Sequence, residues 1–175
     1  MFVVLSDTHA TTGTELGGAA AAAVDDANLV LHAGDFMTEA VLDSFRDVAD
    51  EFRGVHGNND DPGVTERLPE TTTVEYAGVR IAATHRSRSG TTGLVMFGRQ
   101  QTADLVVFGH SHRPTVEEMD ELTLLNPGSH AEPRGARQSF AVLEPTETGL
   151  DGRLVTVEGE RFAEFTVEGS VQRDG

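Results

Sequence analysis

Five short stretches of this 175-residue chain carry the side-chain types that ligate metal ions: Ser6-Asp7-Thr8-His9, Ala33-Gly34-Asp35, Gly57-Asn58-Asn59-Asp60, Thr84-His85 and Gly109-His110-Ser111-His112. Carboxylate, imidazole and amide oxygen together form a hard-to-borderline ligand set. It suits Mn²⁺, Fe²⁺, Zn²⁺ and related ions better than an all-oxygen Mg²⁺ cage. Asp7, His9, Asp35, Asn58, His85, His110 and His112 are too many ligands for one four- to six-coordinate ion and adequate for two that share a carboxylate. Two ions about 3.5–4 Å apart can activate a bridging water and clamp both ends of an in-line displacement at phosphorus. The chain has no cysteine, which excludes disulfides and thiolate metal sites.

Each stretch follows a short apolar run: Phe2 to Leu5, Asn28 to His32, Phe52 to His56, Val79 to Thr84 and Asp104 to Phe108. Continuous runs of this length predict strands buried on both faces. In α/β sheets the ligand site lies at the carboxyl ends of strands, so neighbouring strands would bring the seven residues to one spot. Helices fill the gaps. Glu39 to Phe52 places Val41, Leu42, Phe45, Val48, Ala49 and Phe52 on one face, with Thr38 as N-cap and Gly54 as terminator. Glu15 to Val24 and Thr92 to Thr102 are two further predicted helices. From Thr115 the pattern changes to strands: Thr115 to Met119, Leu122 to Leu125, Ser139 to Leu143, Arg153 to Val157 and Phe162 to Val167. The last two form a hairpin over about 152–168, joined by Glu158-Gly159-Glu160. The expected fold is a single α/β domain over 1–175, a four-layer α/β/β/α sandwich of two mixed sheets flanked by helices.

Charge narrows the function classes. Asp and Glu number 29 against 13 basic residues, every one of them Arg, for a formal net charge of −16. So negative a surface disfavours general nucleic-acid binding, which needs cations to displace counterions. Two readings of the acidity stay open, an ordinary acidic protein and one adapted to high salt (halophilic), where screening relieves carboxylate repulsion. No segment reaches the roughly 20 apolar residues that span a bilayer. The first strand and Asp7 are committed to the fold at once, so a cytoplasmic location without a signal peptide is expected.

The ordered blocks Asp7-x-His9, Gly34-Asp35, Gly57-Asn58-x-Asp60, His85 and Gly109-His110-x-His112 resemble the calcineurin-like metallophosphoesterase superfamily, in particular its small YfcE-like and archaeal phosphodiesterase branch. Asn126-Pro127-Gly128-Ser129, Pro133-Arg134-Gly135 and Phe140-Ala141-Val142-Leu143 match that branch too, and the resemblance runs from Phe2 to about Glu144. It implies a hydrolase of phosphoric esters, a phosphodiesterase before a phosphatase. The attacking group would be a hydroxide bridging two divalent ions, manganese first, with nickel, cobalt, iron or zinc as alternatives. It further implies that Asp7, His9, Asp35 and His112 hold one ion and Asp35, Asn58, His85 and His110 the other, with Asp35 bridging. Asp35, Asn58 and His85 are its catalytic members, and Asp60 is a supporting carboxylate that orients its neighbours.

Two positions depart from the family. Where larger members place a His after the ligand Asn, this chain has Asn59, which has no useful acid pKa. Where the family has Gly after the ligand His, this chain has Arg86, with Arg88 two residues on. Arg86 is a candidate for binding the substrate phosphate; the alternative is a solvent-facing cation. His32, His56 and His130 are read as structural histidines, with His32 and His56 close enough to strand ends to support the site. The implied partner is a small phosphoester, with no membrane and with self-association as a homo-oligomer left open. A non-catalytic interaction scaffold on the same fold is the competing reading, since one branch of the superfamily has lost its ligands; all seven positions are intact here.

Overall fold

The computed structural model describes residues 1–170. In chain order the elements are β1 (Phe2–Leu5), α1 (Gly18–Asp26), β2 (Leu29–His32), α2 (Glu39–Val48), β3 (Phe52–Gly54), α3 (Pro62–Arg67), β4 (Thr71–Tyr76), β5 (Val79–Thr84), α4 (Gly90–Gln100), β6 (Leu105–Val107), β7 (Thr115–Met119), β8 (Leu122–Asn126), β9 (Ser139–Pro145), β10 (Gly149–Thr156) and β11 (Arg161–Glu168). They make a six-stranded sheet in the order β11-β10-β9-β1-β2-β3 and a five-stranded sheet in the order β4-β5-β6-β8-β7.

Side-chain alternation divides the core into three layers. Phe2, Val4, Leu29 and Leu31 of the first sheet meet Val79, Ile81, Ala83, Leu105, Val107 and Leu125 of the second. The intervening Val3, Leu5 and Val30 point the other way, against Ala20 and Val24 of α1, Val41, Leu42 and Phe45 of α2 and Val64 of α3. On the far side, Ala82, Val106 and Leu124 pack on Leu94 of α4. This is the expected four-layer arrangement. No helix among the described residues is long and apolar enough to cross a membrane.

Both sheets are mixed. β1, β2 and β3 run parallel, as do β5, β6 and β8, while the other strands pair antiparallel. All the predicted ligand stretches leave the carboxyl ends of parallel strands, and the parallel sets face each other across the central core. The C-terminal hairpin of β10 and β11 pairs on β9.

Some boundaries differ from the sequence-based expectation. α2 ends at Val48, and Phe52 begins β3 instead of closing the helix. Phe52 packs into the same helix-side core as Val41, Leu42 and Phe45, so the apolar period continues across the break. α3 and β4 were not expected at all. α3 has Pro62 in its first turn and an N-cap at Asp61, whose side chain accepts from the Val64 amide.

Candidate metal centre

The chain turns sharply where it leaves each parallel strand. Asp7, His9, Asp35, His110 and His112 all have positive φ, between 48° and 71°. Non-glycine residues occupy that left-handed region at a cost of order 1–3 kcal/mol each, and here the surrounding hydrogen bonds hold them in it. The Asp7 amide donates to the Gly34 carbonyl at 2.9 Å and the His9 amide to the Asp35 carbonyl at 3.1 Å, joining the β1 and β2 turns. Close approach also needs absent side chains. A Cβ on Gly57 would overlap the Asp35 carboxylate, and one on Gly34 would lie 2.8 Å from both the Gly57 nitrogen and His85 Nδ1.

Asp35 is central. Its Oδ2 lies 3.1 Å from His9 Nε2 and 3.3 Å from His85 Nε2. Asp7 Oδ1 lies 3.3 Å from His112 Nε2 and 3.8 Å from His9 Nε2. Potential ligand atoms of Asp7, His9 and His112 lie within 4.8 Å of one another, and so do those of Asp7, Asp35 and His85. His110 sits at the exposed rim, its ring edge-on to His85 at 5.4 Å, while its amide donates to Asp7 Oδ2 at 3.0 Å. Asn58 is exposed as well, lining a small pocket of about 110 Å³ with His56, Gly57, Glu70, Thr84, His85 and Arg86. Thus Asp7, His9, Asp35, His85 and His112 converge in the interior, and Asn58, His110 and Arg86 stand around the opening.

Supporting hydrogen bonds fix which nitrogen of each ring faces inward. His85 Nδ1 meets the Ala33 carbonyl at 2.7 Å, and His112 Nδ1 meets the Glu132 carbonyl. A carbonyl only accepts, so each Nδ1 carries the proton and each Nε2 keeps its lone pair toward a carboxylate. His9 Nε2 and His85 Nε2 are buried without a hydrogen-bond partner despite their short distances to Asp35. Lone pairs and carboxylate oxygens converging in a buried space repel unless a cation lies between them. The donor set therefore fits divalent metal ions.

The proton affinities show the same crowding. Asp35 first, then Asp7, raise the pKa of His9 from 6.5 to about 9, with Glu132 adding to it and burial opposing. For Asp35, burial pushes upward but the His85 and His9 contacts prevail and hold it far below the usual carboxylate range. Burial likewise opposes protonation of His85, and the Asp35 carboxylate outweighs it, so its pKa is raised. His110 is lowered, by burial first and then by the charges of His85 and Arg86.

The Asp60 carboxylate accepts from three backbone amides beside the site. Its Oδ2 accepts from the Gly57 amide at 2.7 Å and the Asp35 amide at 3.1 Å, and its Oδ1 accepts from the Met37 amide at 2.7 Å. It staples the β2 and β3 turns together. Several other residues contact these side chains or turns, a role that the sequence did not assign them. Asn59 holds Asp35 through its amide at 2.9 Å and its Nδ2 at 2.8 Å. Ser6 Oγ donates to Asp7 Oδ2 at 2.6 Å, and Ser129 Oγ to the Asp7 carbonyl at 2.7 Å. Asn126 Nδ2 donates to the Gly109 carbonyl at 2.9 Å. Glu132 Oε2 lies 3.4 Å from His9 Nδ1. Asn126 closes a parallel strand, so the rule that found the ligands also reaches it; Glu132 lies in an irregular segment and has no comparable mark.

The three remaining histidines differ from one another. His32 is fully buried, stacked on Phe36 at 3.8 Å between ring centres. Its Nδ1 accepts from the Gly34 amide at 3.1 Å, so Nε2 donates to Thr8 Oγ1 at 2.8 Å, bracing both first turns of the site. Burial keeps it neutral, pushing its pKa well below 6.5. His56 lines the small pocket. His130 is buried against Phe45, with Nε2 at 2.9 Å from the Thr14 carbonyl.

A four-layer α/β/β/α sandwich with aspartates and histidines gathered at the carboxyl ends of its parallel strands defines a metal-centre class of protein. Residues 1–148 match the model of the calcineurin-like phosphoesterase superfamily domain, and the chain belongs to that family. It is similar to a probable metallophosphoesterase of Methanothermobacter thermautotrophicus, 32% identical over 156 residues, covering 87% of this chain and 90% of that one. A probable metallophosphoesterase of Methanocaldococcus jannaschii is 30% identical over 160 residues, covering 89% of this chain and 80% of that one. In fold it is similar to wild-type Vps29 of Entamoeba histolytica in complex with Zn²⁺, with TM-score 0.76, 22% identity, and coverage of 97% of this chain and 99% of that chain.

Proposed function

We propose that the chain hydrolyses phosphoesters, diesters before monoesters, with two divalent ions bound at this centre. Asp7, His9, Asp35 and His112 would hold one, and Asp35, Asn58, His85 and His110 the other. The observation that carries this reading is Asp35 Oδ2 lying between two imidazole nitrogens that belong to different ligand groups, at 3.1 and 3.3 Å. That is where a shared carboxylate would be needed. Manganese stands first for this mixed oxygen and imidazole set, and nickel, cobalt, iron or zinc satisfies the same donors.

Bound ions would supply Lewis acidity at the phosphoryl oxygens and a water acidified for attack. The chain's own residues keep the site ready for them. The Ala33 and Glu132 carbonyls hold His85 and His112 in one tautomer, Asn59 holds the Asp35 carboxylate, and Asp60 holds the Asp35 backbone amide. Neither Asn59 nor His32 is free to protonate the leaving group. Asn59 is engaged with Asp35, and both nitrogens of buried His32 are in hydrogen bonds. Departure then depends on the acidity of the leaving group itself, so aryl diesters should turn over far faster than alkyl diesters.

A metal-by-substrate activity screen on the purified protein tests this. Turnover that requires an added divalent metal and favours aryl diesters is expected. A metal-loaded protein inactive on every aryl diester and monoester would instead support the scaffold reading.

A further inference from the structure

Half of the described arginines sit in close ion pairs with carboxylates, and Arg86 is not among them. Arg53, Arg67, Arg80, Arg134, Arg137 and Arg153 all pair with carboxylates. Arg86 is exposed and forms no ion pair among the described residues, although Glu70 lines the same small pocket. Two of the proposed ligands, Asn58 and His85, line that pocket beside Arg86. Arg86 directly follows His85, so its Cα lies about 3.8 Å from that of a proposed ligand. The Thr84 hydroxyl reaches the Arg86 carbonyl at 3.5 Å where the chain leaves β5.

We infer that Arg86 binds the non-bridging oxygens of the substrate phosphate in the pocket formed by Asn58, His85 and Arg86, as a specificity-determining residue of the proposed reaction. The inference rests on the metal-centre reading above. A guanidinium offers two parallel donors to a phosphate, which an ammonium cannot copy. Ions held by Asp35 and its neighbours, and a guanidinium beside Asn58 and His85, would both supply positive charge to a phosphoryl group. A carboxylate partner would compete with the substrate for this guanidinium, and none is paired with it. Arg88 is exposed too, but it does not line the pocket.

The test is calorimetric binding of inorganic phosphate to the manganese-loaded protein at fixed salt, with metal content measured on each sample. Arg86→Ala is expected to weaken phosphate binding tenfold or more with metal content unchanged. Arg86→Lys should recover part of the loss, and Arg88→Ala should match wild type. Phosphate affinity within twofold of wild type in Arg86→Ala, or an equal loss in Arg88→Ala, would overturn the assignment. A wild-type protein that takes up no metal would overturn the metal-centre reading itself, and this inference with it.

Discussion

His9 lies within 4 Å of carboxylate oxygens from Asp35, Asp7 and Glu132, and in the metal-free chain they raise its pKa from 6.5 to about 9. A raised folded-state value has a defined sign. The imidazolium stabilises the metal-free fold fully below about pH 6.5, and the contribution is lost as pH rises through about 9. Asp35 acts in the opposite sense, since its stabilisation is present above the ordinary carboxylate range and is lost only in strong acid. A divalent ion competes with the His9 proton for the same Nε2. Between pH 6.5 and 9, metal binding should therefore release a proton, and affinity should tighten by about tenfold per pH unit for each proton displaced. Titrating Mn²⁺ into the stripped protein across this range measures it; a pH-independent affinity would mean that His9 is not a ligand.

The turns after β2 and β3 touch through backbone, and Gly57 permits it. Gly57→Ala would drive a methyl group into the Asp35 carboxylate. Overpacking of this kind costs about 1–3 kcal/mol, and here the strain falls on the Asp35 carboxylate. The variant should fold and bind metal more weakly; unchanged metal affinity would show that the two turns move apart freely. The same turns explain what the sequence made legible. Strands buried on both faces must be continuous apolar runs, so β1, β2, β5 and β6 announced themselves, and the polar residue after each run was a ligand candidate. β4 alternates Thr71, Thr73 and Glu75 outward at a sheet edge, and α3 is six residues long, too short for a helical period to register. Phe52 concealed the end of α2 by packing with it. Glu132 and Ser129 reach the centre from an irregular segment, where no period marks which residue turns inward. Their roles required the three-dimensional arrangement.

Across the whole molecule, −16 charges on 175 residues are countered by few close ion pairs, mostly between exposed side chains. Such pairs contribute little each, so net carboxylate repulsion should weaken the fold in dilute buffer. Raising NaCl from about 0.1 to 1 M shortens the screening length from about 10 to 3 Å. The melting temperature should rise, by about 2–4 °C for each 1 kcal/mol of repulsion relieved. A flat or falling melting temperature would leave an ordinary acidic surface and no adaptation to salt. The metal centre lies inside this acidic shell, and the central claim is that Asp35 serves two ions there. Metal content and diester turnover measured together on wild type, Asp35→Asn and His112→Ala test that claim most directly. Asp35→Asn should lose more metal and more activity than His112→Ala, which opens one position only. Full turnover in metal-stripped protein, or an Asp35→Asn variant that keeps wild-type metal and rate, would contradict it.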